Sequence, residues 1–330
     1  MDTDSADPAG LLDLLDRQLV CALQVDGRAG TGRIAEVLGV SARTVTRRLS
    51  RLTGTGLVKV VLMPDAHEAA TGAVLLRVRV LKGKVRTIAQ ALAARPDVPF
   101  VDVMLGGQEI GAVVLADGGA RDHLLHTQLP ATGAVVETAA HAVLHLFADA
   151  GHWRAGWLSP EQEAALAAPA ADPAPAGTPP PGPDALDRRL LAALAADARQ
   201  SHAALAAAAG APESTVRSRL HRLAAAGRLR THATVDPRLL GMAVDANLWL
   251  DVPPGRLAAV GEELAAHPQV HGVLATSGPA NLMATVFCAD HQGLYRFLTG
   301  TLGPLGVNRV ETAIVARAVK RAGVVLPSLP

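Results

Sequence analysis

The stretch Ser41-Ala42-Arg43-Thr44-Val45-Thr46-Arg47-Arg48-Leu49-Ser50-Arg51 carries four arginines, several hydroxyls and no acid. Val45, Leu49 and Leu52 recur at helical spacing, so Arg43, Thr44, Arg47, Arg48 and Arg51 must occupy the remaining arc of the helix. Such a face suits the major groove of a duplex, where a guanidinium pairs bidentately with guanine and a hydroxyl reaches a base or a phosphate. A lone arginine-rich face is as often a solvated helix side, so the surrounding elements have to decide. A second stretch of the chain offers the matching positions Glu213, Ser214, Thr215, Arg217, Ser218, Arg219 and Arg222.

Those surroundings are consistent. Leu11, Leu12, Leu15, Leu19 and Leu23 predict an amphipathic first helix. A second helix is expected over Thr31 to Leu38, ending at Gly39, a residue suited to a left-handed terminus. Ser41 is a good N-cap for the third helix, running to about Thr53. Pro212 stands at the equivalent position and suits the first turn of a helix. After Gly56, Leu57 to Leu62 reads as a strand, and Leu229 to Val235 repeats it, so a small hairpin or wing is expected after each third helix. Helix, turn, reading helix and wing make a winged helix-turn-helix, which turns the arginine face into a candidate DNA interface of Ser41, Arg43, Thr44, Thr46, Arg47, Arg48 and Arg51, with Ser214, Thr215, Arg217, Ser218, Arg219 and Arg222 in the second unit.

The unit occurs twice because Asp16 to Val60 recurs without a gap at Asp187 to Thr231. Two copies are too few for a solenoid, so a fused dimer is the better reading. After each head comes a β-α-β-β-α-β order, that of a ferredoxin-like unit. In the second copy it runs through Ala246–Val252, Gly255–Ala266, Val270–Thr276, Leu282–Ala289, Gln292–Leu302 and Val310–Val319. The first copy runs through Val74–Val80, Val85–Ala94, Val101–Leu105, Ala112–Leu115, His123–Leu129 and Val135–Leu144. The expected class is α+β, with domains at 11–63 and 184–235 (heads) and at 72–150 and 243–325 (α/β parts). A Pro/Ala-rich linker at 169–183 lacks hydrophobic periodicity.

The chain resembles the Lrp/AsnC family of transcription regulators. The resemblance rests on LDRQLVCALQVDGR and LDRRLLAALAADAR, on GVSARTVTRRLSRLTGTGLVKVV, and on the join VDPRLLGM at Val235 to Met242; the first copy has the looser MPDAHEAATG. It implies winged helix-turn-helix heads, ferredoxin-like effector and oligomerisation (RAM-type) domains, double-stranded DNA as partner, and self-association within the chain and between chains. It also implies an amino acid or other small-molecule effector at the turn between the second and third strands and at the last strand. The matching residues are Gly106, Gln108, Glu109 and Thr138 in the first copy and Gly278, Ala280, Asn281 and Thr312 in the second. The family commonly carries Asp where Glu109 and Asn281 stand, and Thr where Val136 and Val310 stand. The two pockets should therefore differ, because the carboxylate that would pair an ammonium survives only at Glu109.

Other classes have less support. A net charge of +1 confines any affinity for nucleic acid to a local patch. Cys21 and Cys288 cannot build a disulfide framework and read as buried thiols. His141 and His145 are four apart on an expected strand, about 13 Å along one face, which argues against a shared metal; no metal and no cofactor is expected. His152-Trp153-Arg154-Ala155-Gly156-Trp157 reads as a tail closing the first copy, its tryptophans capping a core or an interface. The acidic start MDTDSADPAG is not a secretory leader and no apolar run is long enough to span a bilayer, so a cytoplasmic protein is expected. Siroheme decarboxylases share the two-part architecture and are the rival, an enzyme. Their His- and Arg-rich strings around an HNY-type motif are missing from PDVPFVDVMLGGQE and PQVHGVLATSGPAN. A non-enzymatic sensor that has lost DNA binding is the third class. Mutating Arg47 and Arg51 together is the natural first test of the reading face.

Overall fold

Local signals place most of the elements. The computed structural model describes residues 8–63, 72–115, 118–167 and 182–326. In chain order its α-helices of six or more residues are α1 Leu14–Val25, α2 Thr31–Leu38, α3 Ala42–Gly54, α4 Val85–Ala93, α5 Gly118–His123, α6 Pro160–Leu166, α7 Ala185–Ala196, α8 His202–Ala209, α9 Glu213–Ala225, α10 Leu257–Ala265 and α11 His291–Arg296, with π-helical turns at Leu124–Gln128 and Phe297–Leu302 continuing α5 and α11. The strands are β1 Val58–Met63, β2 Val74–Val80, β3 Phe100–Met104, β4 Glu109–Val114, β5 Val135–Ala148, β6 Arg230–Val235, β7 Val244–Asp251, β8 Val270–Thr276, β9 Leu282–Cys288, β10 Arg309–Arg321 and β11 Val324–Val325. The chain forms two units: a head unit within 12–65 and 154–235, and a sheet unit built mainly from 66–153 and 236–330. The Pro/Ala-rich linker lies, but for its last two residues, outside the described residues, as does most of the first copy's join.

In the head unit, caps set the helix ends. Asp13 accepts from the Asp16 amide at 2.9 Å and starts α1; Ser41 Oγ accepts from the Thr44 amide at 3.1 Å and starts α3. Gly39 and Gly210 take φ of +67° and +62° and end α2 and α8. Pro212 is the residue just before α9 rather than within its first turn, and gives no side-chain cap. Leu11 does not join the apolar stripe, since it lies in a short 3-10 turn and is 47% exposed; Leu12, Leu19 and Leu23 are buried.

The wing differs from the expectation. Each copy contributes one strand, and β1 pairs antiparallel with β6 of the other copy, from Val58 opposite Val235 to Met63 opposite Arg230. Strand β1 packs on α7 and β6 on α1, so each wing strand covers the other copy's first helix. Leu62 reaches the second head's core of Leu190, Leu194, Leu205, Val216 and Leu220. Gly27 is needed where the first head's loop meets this ribbon, because a Cβ there would overlap Thr231 and Val60. After β5 the chain returns to the first head: Trp157 lies under Arg17, Leu166 of α6 is fully buried, and Arg33 donates to the carbonyls of Ala165 and Ala167 at the end of α6.

The sheet unit realises β-α-β-β-α-β twice, with strand orders β3-β4-β2-β5 and β8-β9-β7-β10. Strand β5 pairs with β8 and β10 pairs with β3 as well as β7, so the two sheets are joined at both ends into a ring. Both last strands run past their expected ends; the extension of β5 supplies most of its pairing with β8, whereas β10 meets β3 mainly through Val315 to Ala318, inside its expected range. Val319 of β10 joins the first copy's core while Ala148 of β5 joins the second's. Burying a side chain such as Val319 stabilises by roughly 1.5–3 kcal/mol. The facing sheets enclose Leu75, Val143, Trp249 and Met283.

Candidate functional site

The reading helices have two kinds of arginine. Arg48 donates to Asp13 at 2.5 Å and to Asp16 at 3.0 Å, and Arg51 to Asp16 at 2.5 Å. The second copy repeats this: Arg219 pairs with Asp184 and with Asp187 at 3.4 Å, and Arg222 with Asp187 at 2.5 Å. Asp16 and Asp187 are 2% and 1% exposed, so their charges depend on these partners. Arg48, then the Asp16 amide, holds the Asp13 carboxyl below its ordinary range; the Asp187 amide, then Arg219, holds Asp184 at about 2. Four of the arginines expected to face DNA thus brace the reading helix against the first helix.

What remains open differs between copies. Arg43 and Arg47 are exposed and join no ion pair among the described residues. Thr46 is exposed but its hydroxyl turns back to donate to the Ala42 carbonyl at 2.9 Å; Ser41 and Thr44, 2.8 Å apart, cap the helix. In the second copy Ser214 and Ser218 are exposed, Thr215 is half-buried, and Arg217 pairs with Glu213 at 3.4 Å.

A clamp that the sequence reading did not assign holds the heads together. Arg28 donates to the carbonyls of Ala198 and Gln200 at 2.5 and 2.9 Å, and Arg199 to those of Gly27 and Ala29 at 2.5 and 3.2 Å. The signal was present, since Arg28 and Arg199 are identical positions of the repeat. Beside the clamp a cleft of about 440 Å³ is lined by Gln200, Ser201, His202 and Glu213. The first copy has Ala29, Gly30, Thr31 and Ala42 at those positions.

The expected effector residues are not gathered around a formed pocket. Gly106, Gln108, Thr138, Gly278 and Thr312 are exposed. Ala280 packs beside the core between the sheets. Asn281 donates to the Val252 carbonyl at 2.7 Å and accepts its amide at 2.9 Å, pinning the end of β7. At Gly106 and Gly107 nothing approaches closely, and Gly107 matters for its φ of +68°. A Cβ at Gly278 would overlap the His141 ring, so the close approach there comes from the chain itself. Glu109 accepts from Arg77 at 2.8 Å, and the same guanidinium donates to Glu311 of β10 at 2.6 Å and lies 5.2 Å from the Trp249 ring. Burial opposes its charge, but the two carboxylates raise the Arg77 pKa above the usual arginine value. The cavity here, lined by Arg77, Glu109, Asn247 and Trp249 among others, measures about 40 Å³, room for little more than a water.

A second charged cluster is buried at the β3–β10 seam. Arg321 bridges Asp102, at 2.6 Å, and Asp245, while His271 stands 3.5 Å from Asp245 and stacks on Phe287. Burial lifts Asp102 to about 6, since it shares the guanidinium and has no further donor. Asp245 is also pushed up by burial, yet Arg321 and His271 hold it below its ordinary value. The β5–β8 seam carries the apolar Phe147 and Leu274 beside His145 and Thr276.

Both cysteines are buried and free, with thiols pushed up to about 11 by burial, which removes them as nucleophiles. Among the described residues no cluster of three or more His, Cys, Asp or Glu could hold a metal, and no helix is long and apolar enough to cross a membrane. His141 packs on Trp249 and His145 on Phe147. Trp153 packs edge-on against Phe287 and donates to the Pro268 carbonyl.

Comparison with known proteins bears on this arrangement. The AsnC-type helix-turn-helix domain model matches twice, at 12–53 and 184–224, and the Lrp/AsnC ligand binding domain model matches 245–325. An uncharacterized HTH-type transcriptional regulator of Pyrococcus horikoshii is 32% identical over 142 residues, 42% of this chain and 89% of that protein. The HTH-type transcriptional regulator Ptr1 of Methanocaldococcus jannaschii is 29% identical over 139 residues, 42% of this chain and 94% of that one. A crystal structure of the siroheme decarboxylase NirDL superimposes with a TM-score of 0.58 at 12% identity, covering 93% of both chains, a likeness of fold alone. Since nearly the whole of a single-copy regulator aligns with less than half of this chain, and the helix-turn-helix model matches once in each copy, the chain belongs to the Lrp/AsnC family of HTH-type transcriptional regulators.

Proposed function

We propose that the chain is a cytoplasmic, sequence-specific DNA-binding regulator without catalytic activity. It is a tandem of two winged helix-turn-helix heads at 11–63 and 184–235 and two ferredoxin-like RAM-type domains at 72–150 and 243–325. One observation carries the DNA reading: α3 keeps Arg43 and Arg47 exposed and outside any ion pair among the described residues while Arg48 and Arg51 brace it. The informative double substitution is therefore Arg43→Ala with Arg47→Ala rather than one that includes Arg51. It should lower affinity at least roughly tenfold, and each of the two arginines that neutralises a phosphate rather than pairing with a base should also take about 0.9 off the slope of log K against log salt. Unchanged binding at every salt concentration would rule out this face.

The effector reading rests on Arg77. A guanidinium between two carboxylates offers an amino acid both partners it needs: Arg77 for the carboxylate, and Glu109 or Glu311 for the ammonium. Because the cavity is about 40 Å³, against roughly 300 Å³ or more for ordinary ligand sites, binding must open the Arg77–Glu109 pair. The second copy has Trp249 and Asn281 at the matching positions and lacks that charge pattern. A thermal-shift panel of amino acids tests this, with a response expected in the native chain and abolished when Glu109→Gln and Glu311→Gln are combined; a response that survives the double substitution places the effector elsewhere.

The rival reading, a siroheme-decarboxylase-like enzyme, is favoured by the whole-chain fold likeness alone. The sequence motif is missing and the cavity between the sheets, about 40 Å³, is far below tetrapyrrole size. A titration with a haem precursor tests it, and a saturable change in the absorbance of the porphyrin would revive the enzyme.

A further inference from the structure

The frame of the head unit is two-fold while its reading faces are not. Each bracing interaction occurs in both copies: Arg48 and Arg51 on Asp16, Arg219 and Arg222 on Asp187, and the reciprocal Arg28 and Arg199 clamp. The β1–β6 ribbon adds a pairing that each head shares. The copies differ at the open positions of the reading helices. Arg43, Thr46 and Arg47 of α3 stand where α9 has Ser214, Arg217 and Ser218, and Ala42 stands where α9 has Glu213.

We infer that this chain recognises an oriented, non-palindromic operator, one half-site read by α3 and a different one by α9; this rests on the DNA-binding reading above. Arg43 and Arg47 are four apart on one helical face, so both long guanidiniums reach the groove together, and arginine selects guanine through its O6 and N7. The α3 half-site therefore carries two guanine-selecting positions. On α9 those positions hold short hydroxyls, and the one long cation, Arg217, sits one turn-step away beside Glu213. A carboxylate at the groove accepts from cytosine N4 and repels phosphate, so the α9 half-site differs in sequence and draws less of its affinity from charge. A homodimer presents the same helix twice; only a covalent tandem keeps a two-fold frame while its two readers diverge.

Selection of random duplexes by the full chain tests this, followed by the same selection with Pro212→Ser, Glu213→Ala, Ser214→Arg, Arg217→Thr, Ser218→Arg and His221→Ser combined, which gives α9 the open face of α3. The native chain should enrich an asymmetric site, and replacing its α9 half by the mirror image of its α3 half should lower affinity about tenfold or more, since each mismatched base pair lowers it several-fold. The substituted chain, with an unchanged melting curve, should enrich an inverted repeat of the α3 half-site. Enrichment of a perfect inverted repeat by the native chain overturns the inference and leaves DNA binding intact, as does a folded variant that selects the native sequence. Failure of the native chain to enrich any sequence removes the DNA-binding reading and this inference with it.

Discussion

The head unit and the sheet unit descend from one duplication and have kept different parts of it. In the heads the polar interactions that brace the reading helices and join the copies come in pairs, two braces and two clamp arginines, and each copy gives one wing strand; the bonds of Arg33 to the end of α6, among those described above, lack a counterpart. In the sheet unit they come singly. The β3–β10 seam is held by Asp102, Arg321 and Asp245, whereas the β5–β8 seam packs Phe147 and Leu274; one turn carries the Arg77–Glu109 pair, the other the Asn281 amide. The physical difference is in what each unit must preserve. If the two heads address one duplex, as proposed, they need matching spacing and attitude, and a frame held twice supplies both. Two sheets that face each other need only a joint fit, and a charge on one side can replace a methylene on the other.

The sharpest way to break this comparison is to empty the charged seam. Arg321→Met leaves Asp102 and Asp245 buried without their cation and should lower unfolding free energy by about 3–5 kcal/mol. Adding Asp102→Leu and Asp245→Leu should restore most of it, because an apolar cluster of similar volume replaces a buried ion set at little cost. Denaturant unfolding of the three chains decides, and no recovery in the triple variant would mean that the cluster specifies the seam rather than filling it.

Removing the head braces one at a time tests the other half of the comparison. Asp16→Ala and Asp187→Ala should each cost about 1–3 kcal/mol, as expected for losing charge-assisted hydrogen bonds to a buried acceptor. The two values should agree within about 0.5 kcal/mol, the ordinary scatter between independent sites. Clearly unequal losses in urea titrations would show that the frame is less symmetric than its distances.

A pH series gives a smaller effect with a defined sign. Asp102 has its folded pKa raised to about 6 from 3.8, so its contribution is fully present below pH 3.8 and is lost as pH rises through about 6. Asp245 and His271 act the other way: both are held below their ordinary values, and their contributions are lost as pH falls. Asp102→Asn should therefore flatten the loss of stability expected of the native chain between about pH 4 and 6. Parallel stability curves over that window would assign the cluster a different proton distribution. The smallest test concerns the caps: Ser41→Ala should cost about 1 kcal/mol, and Pro212→Ala, which removes no side-chain cap, only a few tenths.

Most of what is local was legible in the residues. Thr31–Leu38 and Val270–Thr276 end where caps, glycines and alternation placed them, and the order β-α-β-β-α-β followed from periodicity in both copies. These features depend on neighbours within a few positions, and the sequence presents those neighbours directly. Partner choice was not legible. The sequence marked β1 and β6 as strands but not that each pairs with the other copy, nor that the tails of β5 and β10 close a ring, because strand pairing is chosen by distant segments competing for the same edges. It also grouped Arg43, Arg47, Arg48 and Arg51 on one face by residue type. Only packing, which brings Asp16 within reach of Arg48 and Arg51 while leaving Arg43 and Arg47 in the open, decided which of them brace the helix and which are available to a partner, since a guanidinium goes to the buried charge that most needs it.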